Sequence, residues 1–173
     1  MRDLTEFSQH EQECILRLTT GRVDLPEFLR IFGRNIADDR DFVQKTLRRI
    51  TESRDAESLP FLFYLWGFLD EPPEKEHLQL LRRLLSESWH SQHEWVVDTL
   101  RRAKDVESIP ALTRAAQAEY PDLDELDETS LRNRCVYAIE AIGGGDANAA
   151  LKDLSSGQSE TAELAASLLS CTS

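Results

Sequence analysis

Nine residues, Asp41-Phe-Val-Gln-Lys-Thr-Leu-Arg-Arg49, return as Glu94-Trp-Val-Val-Asp-Thr-Leu-Arg-Arg102. Each copy runs into the same punctuation, Asp55-Ala-Glu-Ser-Leu-Pro60 in one case and Asp105-Val-Glu-Ser-Ile-Pro110 in the other. A chain that repeats itself at this scale stacks copies of one supersecondary unit, and such chains commonly present surfaces for partners. The repeat therefore restricts the fold more than any single motif does.

The period of the apolar residues says which unit is repeated. Alternation of period two is nearly absent, while spacings of three and four recur throughout, so the units are helical. A first helix is expected from Leu4 to Leu18, with Phe7, Cys14, Ile15 and Leu18 inward and Gly21 at its end. A short helix follows over Asp24–Phe32, with Pro26 in its first turn. Asp38 is expected to cap a third helix burying Phe42, Val43, Leu47 and Ile50. Asp55 opens a fourth, with Pro60 near its start, where a missing N–H costs little. That helix is apolar almost all round, from Leu59 to Leu69, which predicts a position between neighbours.

Pro72-Pro73 precede a fifth helix, Glu74 to Ser86, and further helices are expected over Ser91–Ala103 and from Asp105. The eighth should run from Glu128 to Ile142 and stop at Gly143-Gly144-Gly145, because glycine takes the left-handed conformation without strain. Asp146 would cap a ninth helix, and Gly157 would separate it from a tenth. The three aspartates Asp55, Asp105 and Asp146 are spaced 50 and then 41 residues apart. The second spacing fits the roughly 40–47 residues of two-helix repeats, and the first leaves room for the inserted fifth helix.

The run Leu131-Arg-Asn-Arg-Cys-Val-Tyr-Ala-Ile-Glu-Ala-Ile-Gly143, followed by Asp146-Ala-Asn-Ala-Ala-Leu151, resembles the second helix of a HEAT repeat and the start of the next. Asp105-Val-Glu-Ser-Ile-Pro-Ala-Leu112 is similar to the opening of a first helix in that family. The resemblance covers roughly residues 90–170, weakens over 38–70, and does not extend to the first 35 residues. The order His90…His93-Glu94-Trp95, Asp105…Pro110, an acidic segment and Arg134-Cys135-Val136-Tyr137 is also similar to small bacterial HEAT-like proteins. Some of those are encoded beside polymorphic toxins and are taken to be immunity proteins. The resemblance implies an all-α fold, a short α-solenoid of HEAT-like helical hairpins with about ten helices. The length of 173 residues sets the expectation of a single domain over 1–173, with capping helices in 1–37, a degenerate repeat with an inserted helix in 38–104, and the clearest repeats in 105–173. A HEAT fold by itself implies no chemistry.

Charge narrows the partner. The 173 residues include 32 acidic against 20 basic side chains, a net charge of -12. Duplex binding needs Lys and Arg against phosphates, so nucleic acid is not the expected partner. The same field attracts a basic protein. The longest apolar stretch, Leu59–Leu69, is too short to span a bilayer, and the N-terminal residues lack the apolar run of a signal peptide. Cys14, Cys135 and Cys171 are far apart with no metal or redox spacing. They read as buried, reduced thiols of a cytoplasmic protein.

Candidate chemistry is sparse. The segment Ala118-Glu-Tyr-Pro-Asp-Leu-Asp-Glu-Leu-Asp-Glu-Thr-Ser130 holds six carboxylates and no Lys or Arg. It reads either as a solvated loop whose last acids favour the following helix N-terminus, or as a contact surface for a basic partner. In the second reading Glu119, Asp122, Asp124, Glu125, Asp127 and Glu128 supply the charge. Tyr120, Leu123 and Leu126 then supply apolar anchors, as interface hot spots do. The segment lacks the glycine and terminal glutamate of an EF-hand loop.

Of the tryptophans, Trp66 reads as core and Trp95 aligns with Phe42 in the repeat. Trp89, among polar residues, is the aromatic candidate for a partner contact, with a structural role as its other reading. His90, His93 and Glu94 suggest the His-Glu pairs of HEAT-type iron hydroxylases, but those need several pairs, and the two imidazoles read as capping or exposed. Ser86, Ser88 and Ser91 near His90 do not form a nucleophile elbow, and the triple glycine lacks the Lys of a phosphate loop.

The reading is a non-catalytic module with no cofactor or metal, binding a protein. Most concretely, it is an immunity protein neutralising a basic toxin domain, a nuclease, by occluding its active site. The alternatives are a HEAT-like scaffold or adaptor without a toxin, and a HEAT-type DNA glycosylase or iron hydroxylase.

Overall fold

The computed structural model describes residues 5–34, 36, 39, 41–69, 72–120 and 123–171, for Cys171 without its side chain. Among the described residues the protein is all-α, with ten α-helices. They are α1 (Gln9–Thr19), α2 (Leu25–Ile31), α3 (Phe42–Ser53), α4 (Leu59–Leu69), α5 (Lys75–Leu84), α6 (His93–Ala103), α7 (Ile109–Gln117), α8 (Glu125–Ile142), α9 (Gly144–Leu154) and α10 (Glu160–Cys171). No helix among them is long and apolar enough to cross a membrane.

The chain forms two compact units. The first contains the described residues up to Pro72 together with Trp89–Gln92. In it α1 packs on α2 and α4, and α3 packs on α4. Its core joins Phe7, Ile15, Phe28 and Phe32 to Leu47, Ile50, Leu59, Leu62 and Phe63. The second unit contains Pro73–Ser88 and the residues from His93 onward. Here α8 is the centre, packed against α6, α7, α9 and α10. Its face of Leu131, Cys135, Ala138 and Ile139 is buried throughout.

The two sequence copies adopt the same local structure. Thr46 and Thr99 are buried at equivalent positions, and each accepts a hydrogen bond from an arginine three residues on. Arg49 donates to Thr46 at 3.1 Å and Arg102 to Thr99 at 3.3 Å. Each helix ends in a non-glycine residue with positive φ, Arg54 (55°) and Lys104 (50°). The aspartate that follows grips a fully buried serine. Asp55 Oδ1 accepts from the Ser58 N–H at 3.0 Å, and Asp105 Oδ2 accepts from the Ser108 hydroxyl. Leu59-Pro60 and Ile109-Pro110 then start α4 and α7.

Several boundaries differ from the sequence expectation. The first helix begins at Gln9 rather than Leu4, because Ser8 and Glu11 form a reciprocal capping box that sets the start; Leu4 itself lies outside the described residues. Asp38, the expected cap of the third helix, also lies outside them, and that helix follows Asp41. In the seventh helix, Asp105 opens a single 3₁₀ turn, Val106–Ser108, before α7. The ninth helix starts at Gly144 rather than at a cap by Asp146. Gly143, with φ 75° and ψ -175°, is at once the end of α8 and the cap of α9. One residue thus reverses the chain, in a conformation open to glycine alone. The fourth helix is not enclosed on all sides. Phe61 is half-buried on the side where Tyr64 and Phe68 remain 48% and 43% exposed, a stripe at i, i+3, i+7.

Candidate functional site

The acidic segment divides into a fixed base and an open rim. At the base, Arg132 of α8 donates from Nε and Nη2 to the Ala118 carbonyl at 3.0 and 2.7 Å, and to Glu128 at 2.8 Å. Glu128 also accepts from the Tyr120 N–H at 2.9 Å. The Tyr120 hydroxyl donates to the Ala115 carbonyl at 3.3 Å, and its ring meets His93 edge-on at 5.1 Å. Burial pushes the Tyr120 phenol up to about 12. Tyr120 and Glu128 therefore clamp the connection from α7 to α8 and are half-buried.

The rim carries the remaining charge. Asp124 is the N-cap of α8 and accepts from the Asp127 N–H at 2.9 Å. The helix consequently starts at Glu125, three residues earlier than the expected Glu128, and the last acids of the predicted loop, Glu125, Asp127 and Glu128, lie in its first turn. Glu119, Asp124, Glu125 and Asp127 are exposed, and none forms an ion pair among the described residues. Three acids in one first turn are favourable beside the positive helix end. Among them Leu126 stands 83% exposed. Leu123 is half-buried, and Asp122 lies outside the described residues.

Trp89, in the first unit, is half-buried with its ring edge-on to His90 at 4.8 Å. Its indole N–H is buried without an acceptor among the described residues. The structure thus does not bring Trp89 and the acidic rim into one unit.

Of the two readings for the histidines, capping or exposed, the second fails. His90 and His93 are both buried. His90 Nδ1 accepts from the Gln92 N–H at 3.1 Å, and His93 Nε2 lies 2.9 Å from the Glu87 carbonyl. Burial holds the His93 imidazole below its ordinary range. Glu94 instead pairs with Arg134 of α8, which also reaches Asp98 at 3.1 Å. Among the described residues no three His, Cys, Asp or Glu side chains gather as a metal-ligand set. Cys14 and Cys135 are buried free thiols, both raised above the ordinary range by burial, Cys135 to about 12. A neutral, enclosed thiol is a poor nucleophile. The side chain of Cys171 lies outside the described residues.

One concave surface went unnoticed in the sequence. A groove of about 490 Å³ runs between α5 and α7 in the second unit, lined by Arg82, Arg83 and Arg114. Its signal was present as the spacing Gln79, Arg82, Arg83, Ser86 at i, i+3, i+4, i+7. The Arg82-Arg83 pair is equally well explained as basic charge at a helix end, which hid it.

No family model, no curated protein and no solved structure matches the chain.

Proposed function

We propose that this chain is a non-catalytic, HEAT-like protein-binding module that acts as a cytoplasmic immunity protein. It neutralises a basic toxin domain, a nuclease, by covering its active site with the acidic rim of α8. The observation that carries the reading is Leu126, 83% exposed in a helical turn between Glu125 and Asp127, neither of which has a cationic partner among the described residues. An apolar anchor ringed by charge combines a desolvating contact with electrostatic steering. The clamp of Arg132, Glu128 and Tyr120 supports this role, because a preorganised rim loses less freedom on binding. A net charge of -12 extends the attraction to the whole molecule.

Co-expression with the catalytic domain of a basic nuclease toxin encoded beside this protein should restore growth; continued killing refutes the reading. On the purified pair, Glu125→Lys with Asp127→Lys should slow association by about tenfold at low salt and flatten its salt dependence. These two positions are preferable to Asp124, whose side chain caps α8. Leu126→Ala should instead speed dissociation. Unchanged rates in both variants would remove the rim from the interface.

A further inference from the structure

The groove between α5 and α7 carries charge opposite to that of the molecule. On α5, Gln79, Arg82 and Arg83 share one face, and Ser86 continues that wall in the turn just past the helix end. On the other wall, Arg114 and the buried Ala111 come from α7, and Glu107 from the 3₁₀ turn before it.

The three arginines are not equivalent. Arg82 is largely covered and committed: it donates to Asp105 at 3.0 Å and to Glu107 at 2.9 Å. Those two carboxylates leave no excess positive charge at Arg82. Asp105 also holds Ser108, so Arg82 fixes the turn that aims α7. Arg83 and Arg114 are exposed, and neither guanidinium has a hydrogen-bond or ion-pair partner among the described residues. Arg83 and Arg114 are two uncommitted guanidiniums facing one concavity; against the single surplus carboxylate of the Arg82–Asp105–Glu107 cluster they leave it at about +1, in a chain that carries -12 overall.

We infer that this groove binds a small organic phosphate monoester, held by Arg83 and Arg114, with Gln79 free to meet its hydroxyls and Ser86, whose hydroxyl donates to the Arg83 carbonyl at 2.9 Å, offering only an acceptor. Charge sets the phosphoryl part: a monoester carries roughly -1.5 to -2 near neutral pH, which matches two guanidiniums. Geometry favours it as well, since the planar guanidinium fork fits phosphate oxygens in pairs. Size limits the remainder. The volume is within the roughly 300–1,000 Å³ of small-molecule sites. The helical wall from Gln79 to the end of α5 at Leu84 is about 9 Å long, which suits a phosphorylated sugar better than an extended peptide. The Ala111 methyl offers a small apolar floor for the carbon skeleton.

The test is calorimetric titration of the full chain with ribose 5-phosphate, with ribose and inorganic phosphate as comparisons. One saturable site for ribose 5-phosphate is expected, with weaker binding of inorganic phosphate and none of ribose. Affinity should rise between about pH 5 and 7, as the second phosphate proton leaves near pH 6. Arg83→Ala and Arg114→Ala should each weaken binding by about tenfold. Both side chains are exposed, so thermal melts should match the parent. If an alanine variant misfolds, Arg83→Lys with Arg114→Lys preserves charge, and loss of the paired contacts should still weaken binding. Absence of saturation, or binding unchanged in the arginine variants, overturns the proposal. Equal affinity for inorganic phosphate would mean an anion site without organic selectivity and also overturns it. Preference for a glutamate-rich peptide would transfer the groove to an acidic protein segment. None of these outcomes depends on a toxin partner, so the groove and the acidic rim stand or fall separately.

Discussion

Asp55→Ala offers the sharpest test of how the repeat is held together. Its two carboxylate oxygens have separate tasks: Oδ1 accepts from the Ser58 N–H at 3.0 Å, and Oδ2 accepts from the Glu6 N–H at 2.6 Å. Ser58 is fully buried, and its hydroxyl accepts from the Phe7 N–H at 3.2 Å. One carboxylate thus fixes both the start of α4 and the segment leading to α1. Hydrogen bonds to a charged acceptor contribute about 1.5–3 kcal/mol each, and a buried donor left unmet costs a similar amount. The Glu6 end is partly open to water, so the two together come to about 2–4 kcal/mol. For a chain of this length that lowers Tm by about 5–15 °C. Urea unfolding gives the free energy, and amide exchange gives the location: Glu6, Phe7 and Ser58 should lose protection first. Asp55→Asn should recover no more than about half, because one oxygen becomes an NH₂ facing an N–H donor. A loss below about 1 kcal/mol for Asp55→Ala, or parental stability for Asp55→Asn, would refute the two-acceptor argument.

Two further outcomes follow from other sites. Gly143→Ala should cost about 1–3 kcal/mol by chemical denaturation. The nearest atom to an added Cβ is the Glu140 carbonyl at 3.9 Å, so the cost is backbone strain, and parental stability would remove that account. Acid should destabilise the second unit through buried imidazoles. His77 and His93 are both held below their ordinary value of 6.5, chiefly by burial. The unfolded chain therefore takes up protons first as pH falls. Their contribution is complete above 6.5 and is lost as pH drops through the lower folded values. Thermal melts should decline over that window and less steeply for His77→Gln with His93→Gln; an unchanged slope would assign the decline to other groups.

Much of the local structure was legible. Asp24 with Pro26, the glycines at Gly21 and Gly143, and the recurring Asp-x-x-Ser before a helix act within a few residues. Their hydrogen bonds close locally, so sequence spacing is enough to read them. The acidic segment was legible only as composition. Asp124 as a cap, and therefore Leu126 on an exposed first turn, follows from which acid meets the Asp127 N–H. Six carboxylates in thirteen residues do not single it out. Tyr120 read as an anchor among charges, yet its hydroxyl is spent on the Ala115 carbonyl. Trp89, the separate aromatic candidate for a partner contact, lies in the first unit, whereas the acidic segment lies in the second.

The sequence by itself determined an all-helical chain with a repeated Asp–Ser turn and an acidic field of -12. Tertiary structure decided which faces stayed open. Periodicity is a property of one helix, whereas exposure depends on the neighbours against which that helix packs. Hence α4, apolar almost all round, leaves Tyr64 and Phe68 exposed. His90 and His93, polar in sequence, lie buried. Arg83 and Arg114, 31 positions apart, share one groove because α5 and α7 pack together. The repeat supplies a frame that can be read residue by residue. The places where a partner or ligand can be met arise only when that frame is packed.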